Sequence, residues 1–210
     1  MADKKIIFIT GIGTDVGKTI VSAVVVEALK ADYWKPIQAG SLEYSDSDKV
    51  RSLLTNNITK IHSNSFALTS AMSPHVAAAI DGVHIQLNQI KLPKTSNHLV
   101  IEGAGGLLVP INNKETVLDL IQPDYKIIVV SRPYLGSINH TLLTIQVLQQ
   151  KGFEIAGIIF SGVETISTEE IIEKLSKVPV LGRIDEEESM GRETIRQYAN
   201  LLRPALEDLL

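Results

Sequence analysis

Thr10-Gly11-Ile12-Gly13-Thr14-Asp15-Val16-Gly17-Lys18-Thr19 is the stretch of sequence that decides the fold. It follows an apolar run at residues 6–10 and opens into residues 18–30, whose apolar positions have helical spacing. Glycines let backbone N–H groups curl around a phosphate, Lys18 can reach its oxygens, and the Thr19 hydroxyl can bind Mg²⁺. The stretch therefore predicts a phosphate-binding loop (P-loop), although Gly11 stands one residue further from Gly17 than the usual spacing.

Outward from this loop, short apolar runs alternate with stretches of helical periodicity. Continuously apolar runs are typical of strands that are covered on both faces. We therefore predict an α/β fold of the P-loop NTPase type, with a mostly parallel sheet, helices on both faces and one domain over residues 1–210. The predicted strands are residues 6–10, 33–35, 99–102, 127–131, 155–160 and 179–181, and the predicted helices are 18–30, 46–55, 137–151, 168–175 and 191–206. Residues 58–94 are less clear, with short helices expected near 76–80 and 87–92.

Composition excludes several classes of function. The 210 residues include 44% hydrophobic and 21% charged residues, which is enough apolar material for a packed core. A net charge of −4 argues against non-specific nucleic-acid binding, and the absence of cysteine excludes disulfides and Cys-ligated metals. With no long apolar run and no signal-peptide pattern, we expect a cytoplasmic protein without a membrane segment.

A carboxylate stands at the end of the predicted strand 99–102. Glu102 is followed by Gly103-Ala104-Gly105-Gly106, which allows close backbone approach to a ligand. Because Mg²⁺ prefers oxygen ligands and ligands bind beyond the carboxyl ends of parallel strands, we expect Glu102 to meet magnesium. The alternative is a glycine-rich turn with an exposed glutamate.

A lysine and an aspartate follow the second predicted strand. Lys35 precedes Pro36 and must be extended, so it projects from the strand end, where it could stabilise an anion near the γ-phosphate. Asp48 could be a further metal ligand. The alternatives are a solvated Lys35 and an Asp48 that only caps its helix.

Two common P-loop functions fit poorly. A GTPase needs an Asn-Lys-x-Asp guanine reader, and the nearest match, Asn113-Lys114-Glu115, lacks the aspartate. Partition-type ATPases carry a second lysine five residues before the P-loop lysine, where this chain has Gly13.

Motifs along nearly the whole chain resemble the dethiobiotin synthetase family. They are the extended P-loop, Trp34-Lys35-Pro36 with Gly40-Ser41, Ser47-Asp48, Ser73-Pro74-His75, Glu102-Gly103-Ala104-Gly105-Gly106 and Gly136-Ser137-Ile138-Asn139-His140. An amide-forming or cyclo-ligase of the same superfamily and a partition-type nucleotide switch stay open as other interpretations.

The resemblance implies an ATP-dependent ligase that forms a carbon–nitrogen ring in biotin synthesis. Members of that family convert 7,8-diaminononanoate, CO₂ and ATP to dethiobiotin, ADP and phosphate with Mg²⁺, through a carbamate and its mixed anhydride with phosphate. By resemblance, Lys18, Lys35 and Thr14 are catalytic, Lys35 and Ser41 hold the carbamate, Thr14 and Asp15 line the diamine side, and Thr19, Asp48 and Glu102 bind Mg²⁺. The residues expected at the nucleotide are Asp15, Val16, Gly17, Lys18, Thr19, Ile20, Asp48, Glu102, Gly103, Ala104, Gly105, Ser161 and Gly162.

The same resemblance implies a homodimer with the site at the subunit interface. Ser137, Ile138 and Asn139 open a predicted helix whose free N–H groups suit a carboxylate, and in the family the partner subunit supplies this contact to the substrate tail. The alternative is an ordinary helix start that Ser137 caps.

One departure from the family concerns the nucleobase. Ser161 stands where members often have an adenine-reading asparagine, and Asp185 replaces a proline. A hydroxyl cannot make the paired contact of an amide, so we expect weak discrimination between ATP and CTP, with kcat/KM values less than about a hundredfold apart.

Overall fold

The computed structural model describes residues 4–210. Within these residues the chain forms nine strands and six α-helices. The strands are β1 (Ile6–Gly11), β2 (Asp32–Trp34), β3 (Ile37–Ala39), β4 (Ile61–His62), β5 (Phe66–Leu68), β6 (Leu99–Gly106), β7 (Lys126–Ser131), β8 (Ile155–Ser161) and β9 (Val180–Ile184). The helices are α1 (Lys18–Leu29), α2 (Asp46–Leu53), α3 (Pro74–Ile80), α4 (Ser137–Gln150), α5 (Ile166–Ser176) and α6 (Arg192–Glu207).

Seven strands form one parallel sheet in the order β4-β2-β6-β1-β7-β8-β9, with β1 at its centre. Ile7, Phe8 and Ile9 of β1 are fully buried, as the apolar run predicts. Helices flank the sheet, with α1 packed on α6 and α4 packed on α5. The predicted α/β fold is therefore confirmed.

Helix α1 carries apolar residues on nearly every side, from Val21 to Ala28. It contacts β1 and β6 as well as the helices α2 and α6, so few of its positions reach water. This explains why its sequence lacks the polar stripe of a surface helix. The P-loop is consequently anchored between a buried strand and a buried helix.

The segment 58–94 differs from the prediction. The expected helix near 76–80 is present as α3, but the second one is a single 3-10 turn at Leu87–Gln89. Two short strands were not predicted in this segment: β4 extends the main sheet, and β5 pairs with β3 in a separate two-stranded sheet. Strands of two or three residues are too short for periodicity to reveal them.

Within residues 4–210, no helix combines the length and the apolar character that crossing a membrane requires.

Candidate active site

A cleft of about 780 Å³ lies at the carboxyl ends of β1, β2 and β6. It brings together residues from the P-loop, from the end of β2 and from the glycine-rich end of β6, as expected for an open parallel sheet. The predicted site residues that line it are Thr14, Asp15, Gly17, Lys18, Thr19, Ile20, Lys35, Ser41, Glu102, Ala104 and Gly105.

The path of the P-loop depends on left-handed backbone conformations at two of its residues. Gly17 has φ +92° and forms the N-terminal boundary of α1, and Asp15 also has a left-handed φ of +58°. A Cβ at Gly17 would lie 2.4 Å from Ser161 Oγ, so position 17 needs glycine for both conformation and space. The extra residue after Gly11 is accommodated because Gly11 is still part of β1, which places the turn at residues 12–17.

Lys18 folds back over this loop. Its Nζ donates to the Gly13 carbonyl at 2.7 Å, and the side chain is nearly buried. Burial lowers the pKa of Lys18 to about 8, and the nearby Glu102 carboxylate opposes only part of that shift. A loop carbonyl thus holds the ammonium at the phosphate-binding end of the cleft.

Three oxygen-bearing side chains converge beside Lys18. Thr19 Oγ1 lies 3.0 Å from Asp46 Oδ1 and 3.0 Å from Glu102 Oε1. Glu102 is almost completely buried inside β6, which continues through the glycines to Gly106, and Asp46 is the first residue of α2. Two carboxylates and a hydroxyl therefore face one point of the cleft.

Lys35 supplies the positive charge that these carboxylates need. Its Nζ lies 2.5 Å from Asp46 Oδ2 and 2.9 Å from Glu102 Oε1. Burial alone would lower the pKa of Lys35, but Glu102 and Asp46 outweigh it and raise the pKa above its ordinary value. Burial would likewise raise the pKa of Asp46, but Lys35 holds it below its ordinary value. Lys35 is therefore a buried ammonium, which corrects the alternative of a solvated lysine.

The structure does not bring Asp48 into this group. Asp48 accepts from the Ser45 backbone N–H at 3.0 Å, Ser45 in turn caps the Asp48 backbone, and Arg51 lies 2.6 Å from the other carboxylate oxygen. This capping box turns Asp48 away from the cleft. The position expected for Asp48 is taken by Asp46, two residues earlier.

The oxygen atoms of Thr19, Asp46 and Glu102 suit Mg²⁺, which takes one or two carboxylates together with phosphate oxygens and waters. In the described part of the chain, no three His, Cys, Asp or Glu side chains lie together as a protein-only metal site. A Mg²⁺ ion at these three side chains would take its other ligands from phosphate oxygens and waters.

Val16 and Gly103 lie below the cleft rather than on its wall. Val16 is buried, and its Cγ2 would be 2.6 Å from a Cβ at Gly11. A Cβ at Gly103 would lie 3.2 Å from Phe8 and from Val117. Val16 thus packs closely on Gly11 at the start of the loop, and glycine at position 103 leaves room for Phe8 and Val117.

Two residues expected at the nucleotide lie outside the wall of this cleft. Ser161 is buried against Gly17, and Gly162 lies beneath the Arg132 guanidinium, whose Cζ would be 3.2 Å from a Cβ there. Neither lines the cleft, whereas Arg132 does, and it pairs with Glu186 at 2.7 Å.

The start of α4 stands apart from the cleft. Gly136, with φ +104°, occupies the cap position, so Ser137 is the first helical residue and not the cap. The Ser137 hydroxyl accepts from the Tyr134 N–H at 3.1 Å. Ser137, Ile138 and Asn139 do not line this protomer's cleft, and Leu135 beside them is fully exposed.

Four residues at the site were not predicted from the sequence: Asp46, Gln38 and Arg132 line the cleft, and the Tyr33 hydroxyl contacts Glu102. Ser45-Asp46-Ser47-Asp48 carries the S-x-x-D pattern of a capping box, which would have assigned Asp48 to the helix end and left Asp46 for the site. Tyr33 shares the period-two face of Lys35 and could have been found from that alternation. We find no local sequence signal for Gln38 or Arg132, because both reach the cleft through tertiary packing.

Comparisons with known proteins show which family this chain resembles along most of its length. A family model described as an AAA domain matches residues 5–194. The ATP-dependent dethiobiotin synthetase BioD of Christiangramia forsetii is 57% identical over 95% of this chain and 96% of its own length. The enzyme of the same name from Cytophaga hutchinsonii is 50% identical over 91% and 94%.

Solved structures support the fold alone. The cell-division ATPase MinD of Pyrococcus furiosus superimposes with a TM-score of 0.66, covering 99% of this chain and 100% of its own at 16% identity. The resemblance drawn from the motifs is confirmed by relatives that share half or more of their residues with this chain. With its P-loop, the chain belongs to the ATP-dependent dethiobiotin synthetase family.

Proposed function

We propose that this protein closes the ureido ring of dethiobiotin from 7,8-diaminononanoate, CO₂ and ATP. The observation that carries the proposal is the meeting of two buried lysines, Lys18 and Lys35, with the carboxylates Asp46 and Glu102 in one cleft. All the reacting groups except the diamine are or become anions, so a site with two ammonium groups can hold them together.

The reaction needs no side-chain nucleophile. One substrate amine attacks CO₂ and loses a proton, which gives a carbamate. A carbamate oxygen then attacks the γ-phosphorus and ADP leaves; the second amine attacks the carbamoyl carbon, loses a proton and expels phosphate. Each step is a displacement whose rate depends on alignment and on charge stabilisation.

Residues of the cleft would bind the phosphates, the carbamate and the diamine as follows. Lys18 binds the phosphates and the charge that develops on the transferred group, and Thr14 lies beside it on the loop. Lys35 and Ser41 hold the carbamate, while Thr14 and Asp15 line the diamine side. The backbone of the P-loop and of Ala104 and Gly105 borders the nucleotide.

Magnesium would be held by Thr19, Asp46 and Glu102, with Asp46 in the role that the sequence suggested for Asp48. When bound, it would neutralise phosphate charge and orient the γ-phosphoryl group. Lys35, which lies between the two carboxylates, would then be free to turn its ammonium toward the carbamate.

The proposed assembly is a homodimer acting in the cytoplasm, each chain forming one catalytic domain. Tyr134, Leu135, Ile138 and Leu143 are exposed apolar residues at or near the start of α4. A partner covering them would bring the α4 N-terminus of one subunit near the substrate tail of the other, where its free N–H groups suit a carboxylate.

Incorporation of labelled bicarbonate into an acid-stable product tests the proposal. We expect label in a product with the mass of dethiobiotin, formed only when ATP, Mg²⁺ and the diamine are all present. Label that stays acid-labile under every condition would overturn the ring-forming reaction.

A further inference from the structure

Tyr33 is a fully buried tyrosine that lies beneath the cleft and has no part in the reaction described above. It is the middle residue of β2. Its phenol oxygen lies 2.9 Å from Glu102 Oε2. This contact joins the interior of the sheet to a carboxylate of the proposed metal site.

Strand register explains why the two side chains meet. Tyr33 pairs with Val100 of the parallel neighbour β6, and Glu102 is two residues further along that strand. Val100 and Glu102 therefore share one face of the sheet with Tyr33. A phenol is long enough to reach the diagonal neighbour, which a shorter side chain would not.

The two oxygens of Glu102 have different surroundings. Oε1 faces the cleft, where Thr19 Oγ1 and Lys35 Nζ lie within 3.0 Å. Oε2 faces the sheet and accepts the Tyr33 hydroxyl. A carboxylate oxygen can only accept, so the Tyr33 hydroxyl is the donor in this contact.

We propose that Tyr33 is a positioning residue, which fixes the Glu102 carboxylate so that only Oε1 is presented to the metal. The proposal rests on the role of Glu102 in the proposed function. Partners that hydrogen-bond to metal-ligating groups set their orientation, and losing one typically weakens metal binding by about 10- to 100-fold.

The substitution Tyr33→Phe isolates this contact. Phenylalanine keeps the buried ring and its packing, but Oε2 loses its donor in a place that water does not reach. The carboxylate is then free to rotate toward the cleft, and its oxygens no longer lie where the metal requires them. Nucleotide contacts made by the P-loop backbone are untouched.

The experiment uses Mn²⁺ as the probe, with its binding to the protein–ADP complex followed by electron paramagnetic resonance. We expect the Mn²⁺ dissociation constant to rise at least about tenfold in Tyr33→Phe. ADP affinity in EDTA should stay within about twofold of the wild type. General damage to the fold would weaken both Mn²⁺ binding and ADP binding. Tyr125→Phe removes the hydroxyl of another buried tyrosine, one outside the cleft, and should leave both constants unchanged.

A double-mutant cycle with Glu102→Asp gives the second readout. The shorter carboxylate cannot keep the phenol contact, so Tyr33→Phe should add little to the loss of Mn²⁺ affinity in that background. The proposal is overturned if Tyr33→Phe binds Mn²⁺ within about threefold of the wild type, if ADP affinity in EDTA falls equally, or if the two losses simply add. Because no arm uses the diamine, a failure of the ligase reaction would be seen separately.

Discussion

Lys35 lies between two carboxylates, and it is one of two ammonium groups buried in the cleft. Removing one partner from a buried ion pair normally leaves an uncompensated charge, at a cost of about 3–5 kcal/mol. In this site a bound divalent ion between Asp46 and Glu102 can replace that charge. Binding and chemistry should therefore respond differently to a change at Lys35.

For Lys35→Gln we expect kcat to fall at least about 100-fold while MgATP affinity stays within about threefold, because the lysine acts on the carbamate and the metal restores the local charge. Turnover and calorimetric MgATP titration measure the two effects. Lys114→Gln changes an exposed lysine and serves as the control. A collapse of MgATP affinity would identify Lys35 as a phosphate ligand instead.

Lys18 should make nucleotide binding depend on pH. Its pKa is lowered to about 8, so the side chain is charged below that pH and neutral above it. A neutral lysine attracts phosphate less, so we expect the ATP dissociation constant to be flat below pH 8 and to rise by up to about tenfold per pH unit above it.

Equilibrium ATP titrations from pH 7 to pH 9.5 measure this dependence. In Lys18→Arg the side chain stays charged throughout, so its profile should be flatter even if its affinity is lower. A wild-type profile without a break in this range would contradict the assignment.

The meeting of Lys18, Lys35 and Glu102 in one cleft was predictable from sequence, because each belongs to a motif at or after a predicted strand. Which of Asp46 and Asp48 joins this group was not predictable, because both acids lie in the first turn of the same helix and only the capping geometry distinguishes them. Tyr33 looked like an ordinary strand residue. Its contact with Glu102 depends on the register between β2 and β6, which cannot be read from the sequence of either strand alone.

The join between the P-loop and α1 is the element on which nucleotide binding depends most. Gly17 combines a left-handed backbone with the close approach of Ser161 from the end of β8. The strand that carries Ser161, a residue expected at the nucleotide, thus packs against the phosphate loop at Gly17. Changes in β8 can therefore act on phosphate binding.

Gly17→Ala should reduce ATP affinity at least about tenfold, since a left-handed alanine is strained by roughly 1–2 kcal/mol and its Cβ would meet Ser161 Oγ. Adding Ser161→Gly removes the collision but not the strain, so the double variant should recover only in part. ATP titration of each variant gives the comparison.

Gly152→Ala is the matched control. Gly152 also has a positive φ, +77°, but no atom lies within 4 Å of its would-be Cβ, and it follows α4 outside the cleft. We expect this variant to melt at a lower temperature with unchanged ATP affinity. Equal ATP affinity in Gly17→Ala and the wild type would contradict the role given to Gly17.

Most elements were predictable because the spacing of apolar residues in a long run distinguishes a strand from a helix. The six predicted strands and five predicted main helices are all present, with their ends shifted by up to four residues, the most at β6, which continues to Gly106. The strands β3, β4 and β5 were not, because their pairing comes from neighbouring elements and not from their own two or three residues.

For the whole molecule, the central question is what covers the apolar surface near the start of α4. Leu135 is fully exposed, and Tyr134, Ile138 and Leu143 are partly exposed around it. The parallel sheet and its covering helices leave this surface outside the core. The proposed homodimer gives it a partner.

Leu135→Asp should convert a dimer into a monomer, because a charge cannot be buried at an apolar contact without large cost. It should also raise the KM for the diamine while ATP affinity in the protomer's own cleft is kept. Sedimentation velocity and steady-state kinetics measure the two effects. Leu201→Asp, on the exposed side of α6, should stay dimeric, and a monomeric wild type would contradict the proposed assembly.

The measurement that tests the ligase reaction most directly is ADP release with the diamine and bicarbonate each present or omitted. We predict rapid release only when both are supplied with MgATP, because phosphoryl transfer requires the carbamate that they form together. ADP release at the same rate without the diamine would contradict the account and indicate a simple ATPase.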